Sequence, residues 1–459
     1  MSLLANSATA APAAEIERYR AEFQRLAPGR NGEPAWLDER RRSALERFES
    51  LGFPTTRQED WRFTSVAPIA RTAFQPAPVG DGARVRAADL ASLTFGQAFD
   101  GHQIVVVNGR HAPELSSVRA EDGVEVRSLR ELLADQPEWI EPHLGRTAHD
   151  PVNPFAALNT ALFEDGVVVR VRPGLALSAP IHVVFFTRTP GGEPAVSHPR
   201  LLLVAGRASQ LTLVESYGGD DAPAYFTNAV TEVVAEDGSV VDHYKVQREG
   251  AQAFHVGAMG VVQGRSASFT SHSIALGGAL VRNDVNQVFA GEGGECFLGG
   301  LFMADGTQHT DTHTRIDHAV PHCSSRELYK GILDGRAHGV FVGRILVRKG
   351  ALKTDAQQVN KNLLLSREAL VDSLPQLEIL ADDVKCKHGS TTGQLDPAAL
   401  FYLRSRGIPE AAARSLLVYA FAGDLVGRVK VETLRAGLEE YLQSRLPTPL
   451  DGDTREAVL

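Results

Sequence analysis

At 459 residues the chain is longer than one ordinary compact core encloses, so it holds two or three structural units or a core that grows by repetition. Its formal net charge of −9, with no block of clustered Lys and Arg, excludes nucleic acid or an anionic membrane as its main partner. Forty-two glycines and 24 prolines without a collagen-like period point to many short elements separated by turns, which favours β structure. The N-terminal stretch has no positive n-region and no apolar h-region, and no span of ~18 charge-free residues occurs, so the expectation is a cytoplasmic protein. Three cysteines, Cys296, Cys323 and Cys386, cannot form a paired disulfide framework, and their wide spacing excludes a zinc knuckle or a local ferredoxin-type run. Taken singly, each reads as a buried small hydrophobe.

Residues 1–14, rich in Ala and Ser, read as a flexible tail. Within 15–100, Ile16, Tyr19, Phe23 and Leu26 recur at helical spacing, and Trp36 and Leu37 lead into Leu45, Phe48 and Leu51. Two amphipathic helices follow from this. The segment from Thr55 to Pro68 has turn residues around Trp61 and Phe63 and reads as an irregular strap packed by its aromatics.

Over 101–395 the period changes to short β-branched or alternating runs bounded by Gly, Pro, Asp or Ser, such as those beginning at Ile104, Val167, Ile181, Leu201 and Gln210. A pattern of apolar residue, tight turn and alternating run returns at Val204, Val234, Val262 and Phe289, which lie 30, 28 and 27 residues apart. A near-constant step is what a parallel β-helix needs, because each coil must bring the chain back onto the strand below. A flat sandwich has no reason to repeat at fixed length. Further copies at Leu333 and Leu380 follow gaps of 44 and 47, each of which requires an inserted loop or an extra half coil.

Asp396-Pro397 is an N-cap followed by Pro at the first helical position, and Ile408-Pro409 places a second Pro where a helix can begin. Leu416, Leu417, Ala420, Phe421 and Leu425 share one helical face, so 396–446 reads as a small cap of three helices and 447–459 as a flexible tail.

Two constellations could carry chemistry. His309, Asp311 and His313 alternate along one strand, so their side chains share a face, and imidazole with carboxylate suits iron, zinc or manganese. His318, His322 and Cys323 follow closely; the alternative is a ladder of hydrogen-bonded polar side chains that needs no metal. Cys386 and His388 also share a strand face, while Lys385 and Lys387 point to the other and would favour thiolate over thiol. Two ligands do not make a metal site, so a neighbouring chain must complete this one. No phosphate loop, nucleophile elbow or paired-His zinc motif is present, and the chain is expected to be no enzyme. The repeats alone still admit a β-helical carbohydrate-active enzyme, and the first constellation a mononuclear His/Asp metal protein.

The chain resembles the SufD family of the SUF iron–sulfur assembly system in several stretches. These are Arg57 to Arg62 with Thr64, the run from His309 through Cys323 to Val347, and Lys353 to Gln358 with Asn360 to Ser366. They continue at Pro375 to Ile379, Ala381 to Gly393 and Leu400 to Ile408. Where the paralogous SufB subunit tends to carry EHEAT, this chain has Lys387 to Thr391. The resemblance implies a right-handed parallel β-helix flanked by N-terminal and C-terminal α-helical regions. It also implies a non-catalytic scaffold that pairs with SufB through the β-helices, or with itself when alone, and docks the SufC ATPase through its C-terminal helices. On that reading Phe401, Tyr402, Leu403 and Arg404, with Leu416, Leu417 and Phe421, form the ATPase surface. His388 is the interface ligand and Cys386 its companion, for iron or a transient iron–sulfur cluster that the isolated chain does not hold.

Overall fold

The computed structural model describes residues 14–30, 32–77, 84–94, 99–147, 152–189 and 191–446. The stretches read as tails lie outside these residues, except Ala14, which opens the first helix. The chain is mainly β, with about seven turns of β-solenoid in its middle and helices towards both termini.

Apolar spacing places α1 (Ala14–Leu26) and α2 (Ala35–Leu51) as expected, and Tyr19, Leu45 and Phe48 pack against Leu158 and Leu162 of α3 (Pro154–Leu162). The helix Pro154–Leu162 was not anticipated, although its start is encoded: Asn153 Oδ1 accepts from the N–H of Phe155 and Ala156, and Pro154 takes the first position. Arg41 of α2 is fully buried, paired to Glu33 at 2.9 Å and stacked on Phe163, so this helical region is bolted together by a charge as well as by apolar contact.

In the solenoid each coil contributes one strand to each of two parallel sheets. One sheet runs from Arg200–Ala205 to Leu370–Ile379, the other from Gln210–Gly219 to Lys385–Gly393. Pairing is one-to-one over strands of up to 11 residues, so Asn286, Arg315, Arg344 and Gln376 stand on successive rungs. The copies at Val204, Val234, Val262 and Phe289 all sit at the turn leading from the first sheet to the second. Leu333 ends a strand of the second sheet, at the opposite turn, and Leu380 returns to the original one. Each irregular gap is therefore one coil plus half a coil, with no inserted loop. Two copies of the original turn went unseen, after His318 and after Val347, because their sequences, Ala-Val-Pro-His-Cys and Arg-Lys-Gly, depart from the small or acidic turn of the others.

The lumen is packed by Val233, Val261, Phe289, Ile316 and Phe341. The C-terminal segment forms α4 (Pro397–Ser405), α5 (Glu410–Val426) and α6 (Glu432–Ser444). These helices do not close the solenoid end. Leu416, Leu425, Leu438 and Leu442 lie against outward residues of the second sheet, among them Tyr244, Ile274, Leu301, Ile332 and Leu363. Lys330 Nζ bonds the Phe421 carbonyl at 2.9 Å and pairs with Asp424 at 2.8 Å, and Lys430 pairs with Asp242 at 2.8 Å. Among the described residues the last strand of each sheet is paired on one side only.

Stacked turns leave no room for side chains where two backbones cross. A Cβ at Gly291 would lie 2.1 Å from the Arg265 nitrogen of the turn below. Gly291→Ala is expected to destabilise the chain by about 1–3 kcal/mol, as overpacking does, lowering the urea midpoint with an unchanged slope.

Candidate functional site

The alternation along His309–His318 does put His309, Asp311 and His313 on one face, turned outward beneath the strap. What they hold there is a guanidinium. Arg282, one rung below Asp311, bonds its Oδ2 at 2.6 Å, Asp284 Oδ1 at 2.8 Å and the Asp60 carbonyl at 2.9 Å, with the Trp61 ring 4.3 Å above. Thr64 donates its hydroxyl proton to Asp311 and accepts from His309 Nε2 at 2.8 Å, so that ring nitrogen carries the proton. His313 Nε2 lies 3.1 Å from the other oxygen, Oδ1. Burial alone would push the Asp311 carboxyl up, but Arg282 and His313 outweigh it and hold it well below the usual carboxylate range. Burial lowers His309 to about 4, leaving a neutral ring. The metal reading of this trio is thus corrected: it is a hydrogen-bonded ladder closed by a cation. Among the described residues no group of three or more His, Cys, Asp or Glu could hold a metal ion.

Deeper in the lumen, Glu215 Oε1 lies 2.8 Å from His243 Nε2, and His243 Nδ1 lies 2.9 Å from Ser271 Oγ. Carboxylate, imidazole and hydroxyl form a file with the atoms of a hydrolase triad. Its cavity measures about 20 Å³, room for one water and for no substrate, and Tyr217 and Thr231 also donate to the same carboxylate. The file is a satisfied core network.

At the last coil, Cys386 and His388 do share the lumenal face of Lys385–Gly393, over Ala356 and Gln358 of the rung below. Cys386 is partly buried against Ile345, Val347 and Ala356, whereas His388 is exposed. The expected thiolate is corrected: burial raises the Cys386 thiol above its ordinary value, and Lys385 and Lys387 on the far face do not offset it. Beneath, Gln358 Nε2 donates to Glu327 Oε2 at 2.6 Å, and Ser373 ties Asn360 at 2.7 Å to Ser390 at 2.8 Å. Glu327 and Gln358 were not singled out in the sequence, and only the register that brings 327, 358 and 388 onto successive rungs marks them.

The residues assigned to ATPase docking separate into two groups. Phe401 and Tyr402 of α4 are 72% and 55% exposed, Arg404 is exposed, and Leu403 is half-buried. Leu416 is 2% exposed and belongs to the chain's own core, which corrects its assignment as a contact residue; its helix is sandwiched between the second sheet and α6. Phe421 is partly covered by Lys330, 4.8 Å from its ring, and Leu417 is half-buried. Among the described residues no helix is long and apolar enough to cross a membrane.

A two-sheet solenoid with an uncapped end, flanked by helices and carrying a Cys-x-His pair on its last rung, defines a class that the comparisons identify. Residues 186–421 match the SUF system FeS cluster assembly, SufBD core domain, and 17–183 match the SufBD protein N-terminal region. The chain belongs to the SufBD family of iron–sulfur cluster assembly proteins. Within it the chain is SufD-like: it is 30% identical to the iron–sulfur cluster assembly protein SufD of Escherichia coli over 88% of this chain and 92% of that one. A SufBD family protein of Synechocystis is 33% identical over 94% of this chain and 96% of its own length. One of Mycobacterium tuberculosis is 34% identical over 67% of this chain and 77% of its own length.

Burial without a cation among its partners pushes the Glu327 carboxyl up to about 7, against the opposing bond from Gln358. A folded-state value above the unfolded one means stability that is complete below pH ~4.5 and is lost as pH rises through ~7. Glu327→Gln is expected to remove this loss. The variant should gain on the order of 3 kcal/mol over the native chain at pH 8 relative to pH 4.5, read from paired urea melts.

Proposed function

We propose that this chain is the non-catalytic SufD-type scaffold of a cytosolic SUF complex, pairing with SufB through the open end of its solenoid and docking the SufC ATPase through α4. The observation that carries the reading is the uncovered last coil. It presents unpaired strand edges, the exposed apolar side chains Leu370, Ile379 and Leu380, and His388 at the same end. Solenoids need a terminal cap, and here the helices that might supply one lie along the flank, so a second solenoid is the natural cover.

On this reading the nascent cluster is cargo assembled at the junction of the two solenoids. His388 supplies an imidazole ligand from this chain, while Cys386, half-buried and held as a thiol, stands beside it. A neutral ring ligates iron and a protonated one does not. The remaining ligands come from SufB, which is why the chain alone holds no stable cluster and should purify colourless. Phe401 and Tyr402 form an aromatic pair on an exposed helix, the type of anchor that dominates interfaces.

Three outcomes test this. Changing Ile379 and Leu380 to Arg should abolish co-purification with SufB at unchanged melting temperature; undiminished recovery of the pair would place the junction elsewhere. Phe401→Ser with Tyr402→Ser should release SufC while SufB remains bound, with a stability change within about 0.5 kcal/mol because both side chains are exposed. His388→Ala should leave the assembled complex and its ATP turnover intact and sharply reduce cluster formation in cells that depend on it. Normal cluster-dependent enzyme activity in that strain would remove His388 from the ligand set.

A further inference from the structure

Glu327, Gln358 and His388 occupy one lumenal column on three successive rungs. The first two are buried, at 3% and 0% exposure, and the third stands at the open end. A glutamine amide has two different ends, and which end faces which neighbour is fixed by its partners. Here the Nε2 end is committed, donating to the Glu327 carboxylate at 2.6 Å. Among the described residues the Oε1 end has no partner, although it is buried. A buried acceptor left unpaired is unusual enough to mark a missing donor. The amide is also packed against the opposite wall. It crosses the lumen onto Gly343 of the opposite sheet, where a Cβ would come within 2.0 Å of Gln358 Nε2. His388 stands on the next rung of the same face, its backbone ~4.8 Å further along the stack.

We propose that Gln358, oriented by Glu327, is a positioning residue for His388: its free Oε1 accepts one ring N–H and so fixes which imidazole nitrogen is left bare to face the partner chain. This rests on the scaffold reading for its purpose, but the geometry it asserts belongs to this chain alone. A histidine that ligates a metal is commonly held by an acceptor on its other nitrogen, which sets both tautomer and ring angle. The column supplies that acceptor from inside the solenoid, where a solvent-exposed rim could not. Glu327 acts one step back: without its carboxylate, the amide would be free to present its NH₂ end, which cannot accept.

The test is the tautomeric state of His388 in the full chain, labelled with ¹⁵N-histidine and observed above the imidazole titration range, with His388→Ala assigning the signals. In the native chain the two ring nitrogens should resonate far apart, as for one dominant tautomer. Gln358→Met should bring them together towards the mixture of a free imidazole while other histidine signals stay in place. Glu327→Met should do the same by releasing the amide, and it serves as the second variant if Gln358→Met does not fold. Unchanged His388 signals in a folded Gln358→Met chain would overturn the proposal. Cluster formation in cells separates the two claims. If Gln358→Met shifts the tautomer and depresses cluster formation, both stand. If it shifts the tautomer while His388→Ala is fully active, the positioning stands and the ligand role of His388 falls.

Discussion

In-register parallel stacking is the constraint from which the rest of this structure follows. Every residue of a coil is held one strand spacing from its counterpart in the next, so a side chain's neighbours are set by its position in the coil and not by its distance in sequence. Turns must repeat, and where they cross they must be glycine or something equally small, as at Gly291. Polar residues that point inward find most of their partners along their own column or across the narrow lumen. The Glu215, His243 and Ser271 file obeys this rule, and its resemblance to a hydrolase triad is a by-product of it.

The same constraint explains how the N-terminal strap reaches the centre of the molecule. Arg282 sits between Asp284 on its own strand and Asp311 one rung above, a charge that would be costly to bury with either partner missing. Trp61 covers it and Thr64 closes the hydrogen-bond set, although 247 positions separate Thr64 from Asp311. The family-like stretch around Arg57 to Thr64 is thereby tied to the stretch around His309. Two segments that look independent in the sequence are halves of one buried network.

Much of this was legible beforehand. The fixed step between turns identified the solenoid, the Asp-Pro and Ile-Pro starts placed the C-terminal helices, and alternation correctly put His309, Asp311 and His313 on one face. What alternation cannot report is what stands opposite a face. Arg282 lies on the neighbouring rung, so a trio that reads as metal ligands proved to be a carboxylate already matched to a cation. Leu416 failed for a related reason: an apolar helical stripe shows that something is covered, and here the cover is the second sheet. The Cys386 thiol was misjudged because its burial against Ile345, Val347 and Ala356, which penalises the thiolate, comes from other coils that the local sequence does not show. Glu327 and Gln358 became visible only once the register was known.

The open last rung has a kinetic side. An edge of unpaired N–H and C=O groups flanked by Ile379 and Leu380 offers itself to any strand of compatible twist, including the same edge of another copy. Capture by another copy is second order in the chain's own concentration, whereas capture by the proper cover is first order in each partner. Doubling the free chain alone therefore quadruples the first rate and only doubles the second. On the proposed pairing, an unfinished end makes subunit stoichiometry a variable the cell must control, and gives a reason for making the chain alongside its cover.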